Sequence, residues 1–245
     1  MAADGRRHVL AMGGLGPIGK TGMSARGVPL LLERAVELSG ADVPRICILN
    51  TAMGDDPGSF LRMYELLSRL PVRVSHLQLF PMPNVGDPAD LLASQDVIYV
   101  GGGSVANMLA VWRVHGLDQV MRSAWQAGIV LAGVSAGAIC WFGGGTTDSF
   151  GPRLRPFLSG LGLLAGSYCP HYDSEPGRRP EYQSLVADGT LPAGVACDDG
   201  AAAHFIDDTL AEIVADRAGA RGHLVERVAG GGVTETVLPT RLLPG

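Results

Sequence analysis

The sequence predicts an α/β fold with a mostly parallel sheet and helices on both faces. Three observations carry that expectation. Short apolar runs rich in β-branched residues alternate with stretches whose apolar residues recur at helical spacing. Several of the runs end in glycine clusters, as a parallel strand does where it enters its loop. The 245 residues are 47 % hydrophobic and only 18 % charged, which excludes disorder throughout and suffices for one large core. A single domain over residues 1–245 is the expectation, since neither a long linker nor a repeat interrupts the chain.

His8 to Met12 reads as the first strand, and Val28 to Leu38 as a helix with Leu31, Leu32, Ala35 and Leu38 on one face. Arg45 to Thr51 is a strand, Phe60 to Leu70 a helix and Val72 to Leu79 a strand. Pro81, Pro83 and Gly86 then mark a loop. Asp96 to Val100 enters Gly101-Gly102-Gly103, and Ser104 stands where a helix cap belongs. Val105, Met108, Leu109 and Trp112 follow at helical spacing. Leu117 to Gln126 is a further helix, leading to the strand Gly128 to Val134. Beyond about Gly143 five prolines suggest a loop-rich stretch. Short strands follow at Gly194 to Cys197, Ala201 to Ile206 and Leu210 to Asp216. Leu224 to Val228 and Thr234 to Leu238 read as a hairpin around Gly230-Gly231-Gly232.

Composition narrows the function classes. With 19 Lys+Arg against 24 Asp+Glu and a net charge of −5, the chain has no general attraction to nucleic acid or anionic membrane. Lys20 is the only lysine, so an anionic ligand would fall to arginine or backbone N–H groups. Cys47, Cys140, Cys169 and Cys197 lie unpaired in apolar stretches and read as buried small hydrophobes in a reducing compartment. The uncharged run Ala127 to Thr147 holds six glycines and reads as a buried strand and helix, not a membrane span. A cytoplasmic protein is expected.

Two motifs compete for the chemistry. Gly133-Val134-Ser135-Ala136-Gly137 is G-x-S-x-G between a buried strand and an apolar helical stretch. Such a turn lifts a serine hydroxyl above the sheet and aims the next N–H at the same point. Gly14 to Thr21 fits the phosphate-binding pattern GxxxxGK[ST], which would make a nucleotide-binding module. Gly22, Gly27 and Pro29 give it a poor helix start. A serine nucleophile needs a base, and His171, in Tyr168-Cys169-Pro170-His171-Tyr172-Asp173, lies in a strand-end loop where catalytic groups project. His8, His76, His115 and His204 read as structural, and His223 would serve an esterase-type alternative. The orienting acid is open among Asp148, Asp173, Glu175, Asp198 and Asp199.

This set of segments resembles the serine peptidases of the peptidase E and cyanophycinase family. The matching pieces are Gly101-Gly102-Gly103, Ala132 to Ala138, Thr146-Thr147-Asp148, Pro170-His171-Tyr172 and Asp198-Asp199-Gly200-Ala201. The resemblance implies a three-layer α/β/α fold, flavodoxin-like and related to class I glutamine amidotransferases, with a short antiparallel C-terminal strand region. It implies Ser135 as nucleophile, His171 as base, and Gly102 and Ala136 as oxyanion donors. It implies Asp198 as the acid, with Asp148 the alternative. The implied activity is a serine dipeptidase acting on N-terminal aspartyl residues, or a cyanophycinase-like β-aspartyl-arginine peptidase. Arg178, Arg179 and Ser104, which stands where members often carry Asn, are the candidate substrate contacts. Lys20 is a further candidate cation. No metal or organic cofactor is implied. The expected partner is a small Asp-X peptide, neither nucleic acid nor membrane, and a homodimer is left open.

Overall fold

A computed structural model describes residues 2, 4–15 and 22–245. In chain order the first half comprises β1 (His8–Met12), α1 (Leu30–Glu37), β2 (Arg45–Leu49), α2 (Pro57–Leu67), β3 (Arg73–Leu77), α3 (Pro88–Ala93) and β4 (Val97–Val100). Then come α4 (Val105–Val114), α5 (Leu117–Gln126), β5 (Val130–Val134), α6 (Ala136–Ile139), β6 (Gly144–Thr147), β7 (Arg155–Phe157) and β8 (Ser167–Cys169). The remainder is α7 (Arg178–Ala187), β9 (Gly194–Cys197), β10 (Ala201–Ile206), β11 (Thr209–Ala215), β12 (Gly222–Arg227), β13 (Val233–Val237) and β14 (Thr240–Leu242).

The strands form two sheets. The larger has eight strands in the order β14-β11-β10-β1-β5-β4-β2-β3. Its stretch from β1 to β3 is parallel throughout, and β10 pairs antiparallel with β1. Side chains alternate across the parallel strands as the pleat requires. Leu10 and Met12, Ile46 and Ile48, and Val97 and Tyr99 pack with α1 and α2 on one face. Val9 and Ala11, Cys47 and Leu49, and Ile98 and Val100 pack with α4, α5 and α6 on the other. The mixed α/β architecture is that of a three-layer sandwich with a mostly parallel sheet.

The second sheet was not legible as such. It has six strands in the order β13-β12-β9-β8-β6-β7, with β6, β8 and β9 parallel. β6, β7 and β8 fall in the stretch expected to be loop, because strands of three or four residues show no period. The C-terminal hairpin forms as β12 and β13 but joins this second sheet, whereas β10, β11 and β14 extend the first. α3 falls where the sequence pattern assigns no element, and α7 in the stretch expected to be loop-rich. In α3 the Asp87 side chain accepts from Ala89 N at 2.7 Å and Pro88 opens the helix, an ordinary start signal. In α7 Pro180 stands in the first turn, where a missing N–H costs nothing. Among the described residues no helix is long and apolar enough to cross a membrane, and the four cysteines are buried and free.

Candidate active site

The serine turn is built by close backbone approach. Ser135 has φ 54° and ψ −113°, a left-handed position that costs a non-glycine residue strain and persists only where its surroundings enforce it. A Cβ on Gly133 would overlap the Gly137 carbonyl, and one on Gly137 would overlap the Val100 carbonyl. Both glycines of G-x-S-x-G are therefore required by packing. Ser135 N–H donates to Met12 O at 3.1 Å, which fixes the turn to the end of β1. Ala136 heads α6, so its N–H has no acceptor within the helix. Gly102 lies alongside: a Cβ there would stand 3.3 Å from Ser135 Cβ. The helix after the turn is four residues long, shorter than the apolar run to Phe142 suggests, because the chain leaves it at Cys140 while Trp141 and Phe142 stay buried.

The His171 side of the site comes from the second sheet. β8 and β9 are parallel neighbours, and the loops that follow them carry His171 and Asp199. His171 Nδ1 lies 2.7 Å from Asp199 Oδ1. Burial pushes the Asp199 carboxyl up, but hydrogen bonds from His171 and Ser174 and the charges of His171 and Arg217 together hold it below the ordinary carboxylate range. Asp173 steadies the loop by accepting from Asp199 N at 2.8 Å and from Arg217 at 2.7 Å. His171 itself has φ 52°, and its N–H donates to Gly13 O at 3.3 Å. Gly14 lies against the pair: a Cβ there would overlap Asp199 Oδ1 and stand 2.8 Å from His171 Nδ1. Among the described residues no hydrogen bond joins the Ser135 hydroxyl to His171; β1 brings both to one edge.

Several expected site residues lie elsewhere. Asp198 is the first correction. Its carboxylate accepts from Arg221 N at 2.9 Å and lies 3.5 Å from His223 Nε2, so the residue beside it, Asp199, meets His171. Neighbouring residues at a strand end point to opposite sides, and the strand's parity was not fixed by its apolar run. Asp148 is exposed on the turn after β6, with no bond to His171. Arg178 is 2 % exposed. It donates to Glu175 and to Thr146 O, tying α7 to β6. Arg179 pairs with Glu235 and lies over the Tyr172 ring at 5.4 Å. Both guanidinium groups are therefore already engaged by other residues. Ser104 caps α4, accepting from Asn107 N at 3.2 Å. His223 is held between Asp198 and Glu235, and His8 stacks on His204. Of the loop Gly14 to Thr21, residues 16–21 including Lys20 lie outside the described residues. Among the described residues no group of three or more His, Cys, Asp or Glu is arranged to hold a metal ion.

A cleft of about 600 Å³ opens on the α1 and α2 face of this edge. Val134, Gly101 and Gly102 form its end beside Ser135, and Met53, Met63 and Leu66 line it. Arg62 and Arg69 also reach it, and Arg69 donates to Gly27 O at 2.8 Å. Of these residues the sequence pattern places only Met63, with Phe60, Tyr64 and Leu67, on the apolar face of the helix, and Met63 is buried; Arg62, Leu66 and Arg69 fall outside that stripe.

The model of peptidase family S51 matches residues 19–213. The chain is 43 % identical over 238 residues to the "uncharacterized peptidase YgaJ" of Bacillus subtilis (strain 168), covering 97 % of this chain and 99 % of that one. Among solved structures it resembles a peptidase from an acI-B1 Actinobacterium, with TM-score 0.64 at 16 % identity over 96 % of this chain and 98 % of that one. It also resembles a "putative peptidase E protein" from Listeria monocytogenes EGD-e, with TM-score 0.56 at 16 % identity over 96 % and 100 % of the two chains. The structural likenesses agree on the fold. The family match spans most of the chain and the relative covers nearly all of it: this chain belongs to peptidase family S51 and is a peptidase.

Proposed function

We propose that this peptidase is a serine-type exopeptidase that hydrolyses short peptides with an N-terminal aspartyl residue through an acyl-enzyme on Ser135. The observation that supports it best is the pairing of a strained, partly exposed serine with a His–Asp couple at the same strand edge. His171 takes the Ser135 proton as the hydroxyl attacks the peptide carbonyl. Asp199 holds the imidazole by Nδ1, leaving Nε2 as the base. The developing oxyanion falls to the N–H groups of Gly102 and Ala136. His171 then gives its proton to the departing amine, and water, deprotonated by the same histidine, releases the acyl group. Hydrogen bonds of this kind are often long before substrate binds, which fits the absence of a Ser135–His171 bond. The aspartyl preference rests on the resemblance of the motifs. With Arg178 and Arg179 engaged elsewhere, the aspartyl carboxylate falls to backbone N–H donors of the glycine-rich edge.

A dipeptide panel with free and blocked N-termini, run beside Ser135→Ala and fluorophosphonate labelling, tests this reading. Turnover of Asp-Leu lost in Ser135→Ala, with labelling confined to Ser135, is expected. Turnover retained in Ser135→Ala would overturn the acyl-enzyme. Release from β-Asp-Arg but not from Asp-Leu would replace the aspartyl dipeptidase by a cyanophycinase-like specificity.

A further inference from the structure

The cleft beside Ser135 combines two chemistries that one substrate residue can satisfy. Most of its wall is apolar, Met53, Met63 and Leu66 included, and Arg62, Glu65 and Arg69 line its α2 side, so that the two arginines outweigh the one carboxylate. Arg62 stands at its exposed side. The Arg62 guanidinium donates to the Ser59 hydroxyl at 3.0 Å; that hydroxyl donates on to Asp56, whose carboxyl feels the Arg62 charge, and Arg62 has no direct salt bridge within the described residues. Arg62 and Leu66 are four apart on α2, and Met63 and Leu66 three apart, so cation and apolar wall share one helix face. At about 600 Å³ the cleft is of small-molecule size, larger than an aspartyl side chain needs.

An apolar wall cannot compensate the loss of water around a carboxylate, so the aspartyl side chain is a poor occupant of the interior. An amino acid with an apolar side chain and a free α-carboxylate fits both parts. In an Asp-X dipeptide only the leaving residue X has that chemistry. Resting on the acyl-enzyme reading above, we infer that this cleft is the leaving-residue subsite: it takes a bulky apolar side chain between Met53, Met63 and Leu66, and Arg62 binds the free C-terminal carboxylate. Methionine walls adapt to several apolar shapes, so leucine, methionine and phenylalanine are accepted alike. The carboxylate contact makes the enzyme a dipeptidase, since a longer peptide offers an amide at that point.

The test crosses substrate with protein, reading kcat/KM. The substrates are Asp-Leu, Asp-Phe, Asp-Gly, Asp-Arg, Asp-Leu amide, Ala-Leu and Leu-Ala. The proteins are the full chain, Arg62→Ala and Met53→Glu. Asp-Leu and Asp-Phe are expected to exceed Asp-Gly by about tenfold or more. In the full chain Asp-Leu should exceed its amide by about 10- to 100-fold, the worth of a hydrogen bond between charged groups. Arg62→Ala should bring Asp-Leu down to its amide and leave the amide unchanged. Met53→Glu, at a half-exposed position, should shift preference from Asp-Leu toward Asp-Arg. Equal losses for Asp-Leu and its amide in Arg62→Ala would place Arg62 on the aspartyl side chain and overturn the inference. Leu-Ala cleaved better than Ala-Leu, or indifference to the leaving residue, would also overturn it. Equal cleavage of Ala-Leu and Asp-Leu with the Arg62 effect intact supports this subsite while removing the aspartyl preference.

Discussion

Replacing Asp199 by Asn separates the two adjacent carboxylates. The substitution keeps shape and removes charge from the partner of His171 Nδ1, 2.7 Å away. An asparagine amide can present N–H to Nδ1, which drives the imidazole proton onto Nε2 and removes the lone pair that a base needs. In serine triads, loss of the orienting carboxylate costs about 10⁴ in kcat. The side chains of His171 and Asp199 are 21 % and 14 % exposed, so water screens the pair in part, and about 10³ is expected here. At 1.36 kcal/mol per tenfold change that is about 4 kcal/mol of transition-state stabilisation. Asp198→Asn removes a carboxylate that serves Arg221 N and His223 instead, and should cost less than about tenfold in kcat. The assay is kcat for Asp-Leu at pH 8 for both variants, with melting temperatures as the folding control and the rate of fluorophosphonate labelling of Ser135 as a substrate-independent readout. An Asp198→Asn loss as large as that of Asp199→Asn, with both proteins folded, would refute the assignment.

Two further substitutions test the surroundings. Gly14→Ala introduces a Cβ that overlaps Asp199 Oδ1; the carboxylate must swing away, and a kcat loss of about 10² or more is expected with Ser135 still in place, whereas full activity would show that the couple tolerates displacement. Asp216 is 4 % exposed and its carboxyl is poorly satisfied by hydrogen bonds. Burial, aided by the nearby Asp199 charge, pushes its carboxyl up to about 6, with the Gly22 N–H and Arg217 opposing. A carboxyl raised in the folded state keeps its stability below the unfolded value and loses it as pH rises through the folded one. The native chain should therefore lose up to about 3 kcal/mol from this group as pH rises from below about 4 to above about 6. Urea unfolding of Asp216→Asn should show the gap to the native chain changing across that window and constant above it; a flat difference would exclude the titration.

The parallel half of the molecule was legible because its strands are buried on both faces and its helices have one apolar stripe. Those two patterns differ in period over Val9 to Val134, and the glycine clusters mark the strand ends. The second sheet lacked such a signal. Its strands are three or four residues long where they carry His171, and β6, β8 and β9 find each other across long loops, which no local pattern records. The segments single out Ser135 and His171 as candidates, and the structure brings the two to one strand edge. The partner of His171 was not, because Asp198 and Asp199 differ only in which side of the strand end they face. The arginines Arg178 and Arg179 misled for a related reason: charge in a loop-rich stretch suggests a ligand contact, yet a helix starts there and buries Arg178 against Thr146 O and Glu175.

The backbone of β1 explains why residues from two sheets meet. Three successive carbonyls at its end each hold one part of the site. Met12 O takes the Ser135 N–H, Gly13 O the His171 N–H, and Gly14 O the Gly200 N–H next to Asp199, at 3.1, 3.3 and 2.8 Å. Ser135 arrives from β5 in the first sheet, His171 and Asp199 from the ends of β8 and β9 in the second. Neither sheet alone sets the distance between them; the two residues that follow β1, bonded to the loops of the second sheet, do. That arrangement demands an absence of side chains at the junction. A Cβ on Gly13 would overlap the Asp198 carbonyl, and one on Gly14 would overlap Asp199 Oδ1. Neither glycine has positive φ, so it is space and not backbone conformation that requires them. Substitution there should consequently damage catalysis through displaced partners rather than through strain in β1 itself, so any larger residue at Gly14 should impair activity at least as much as alanine.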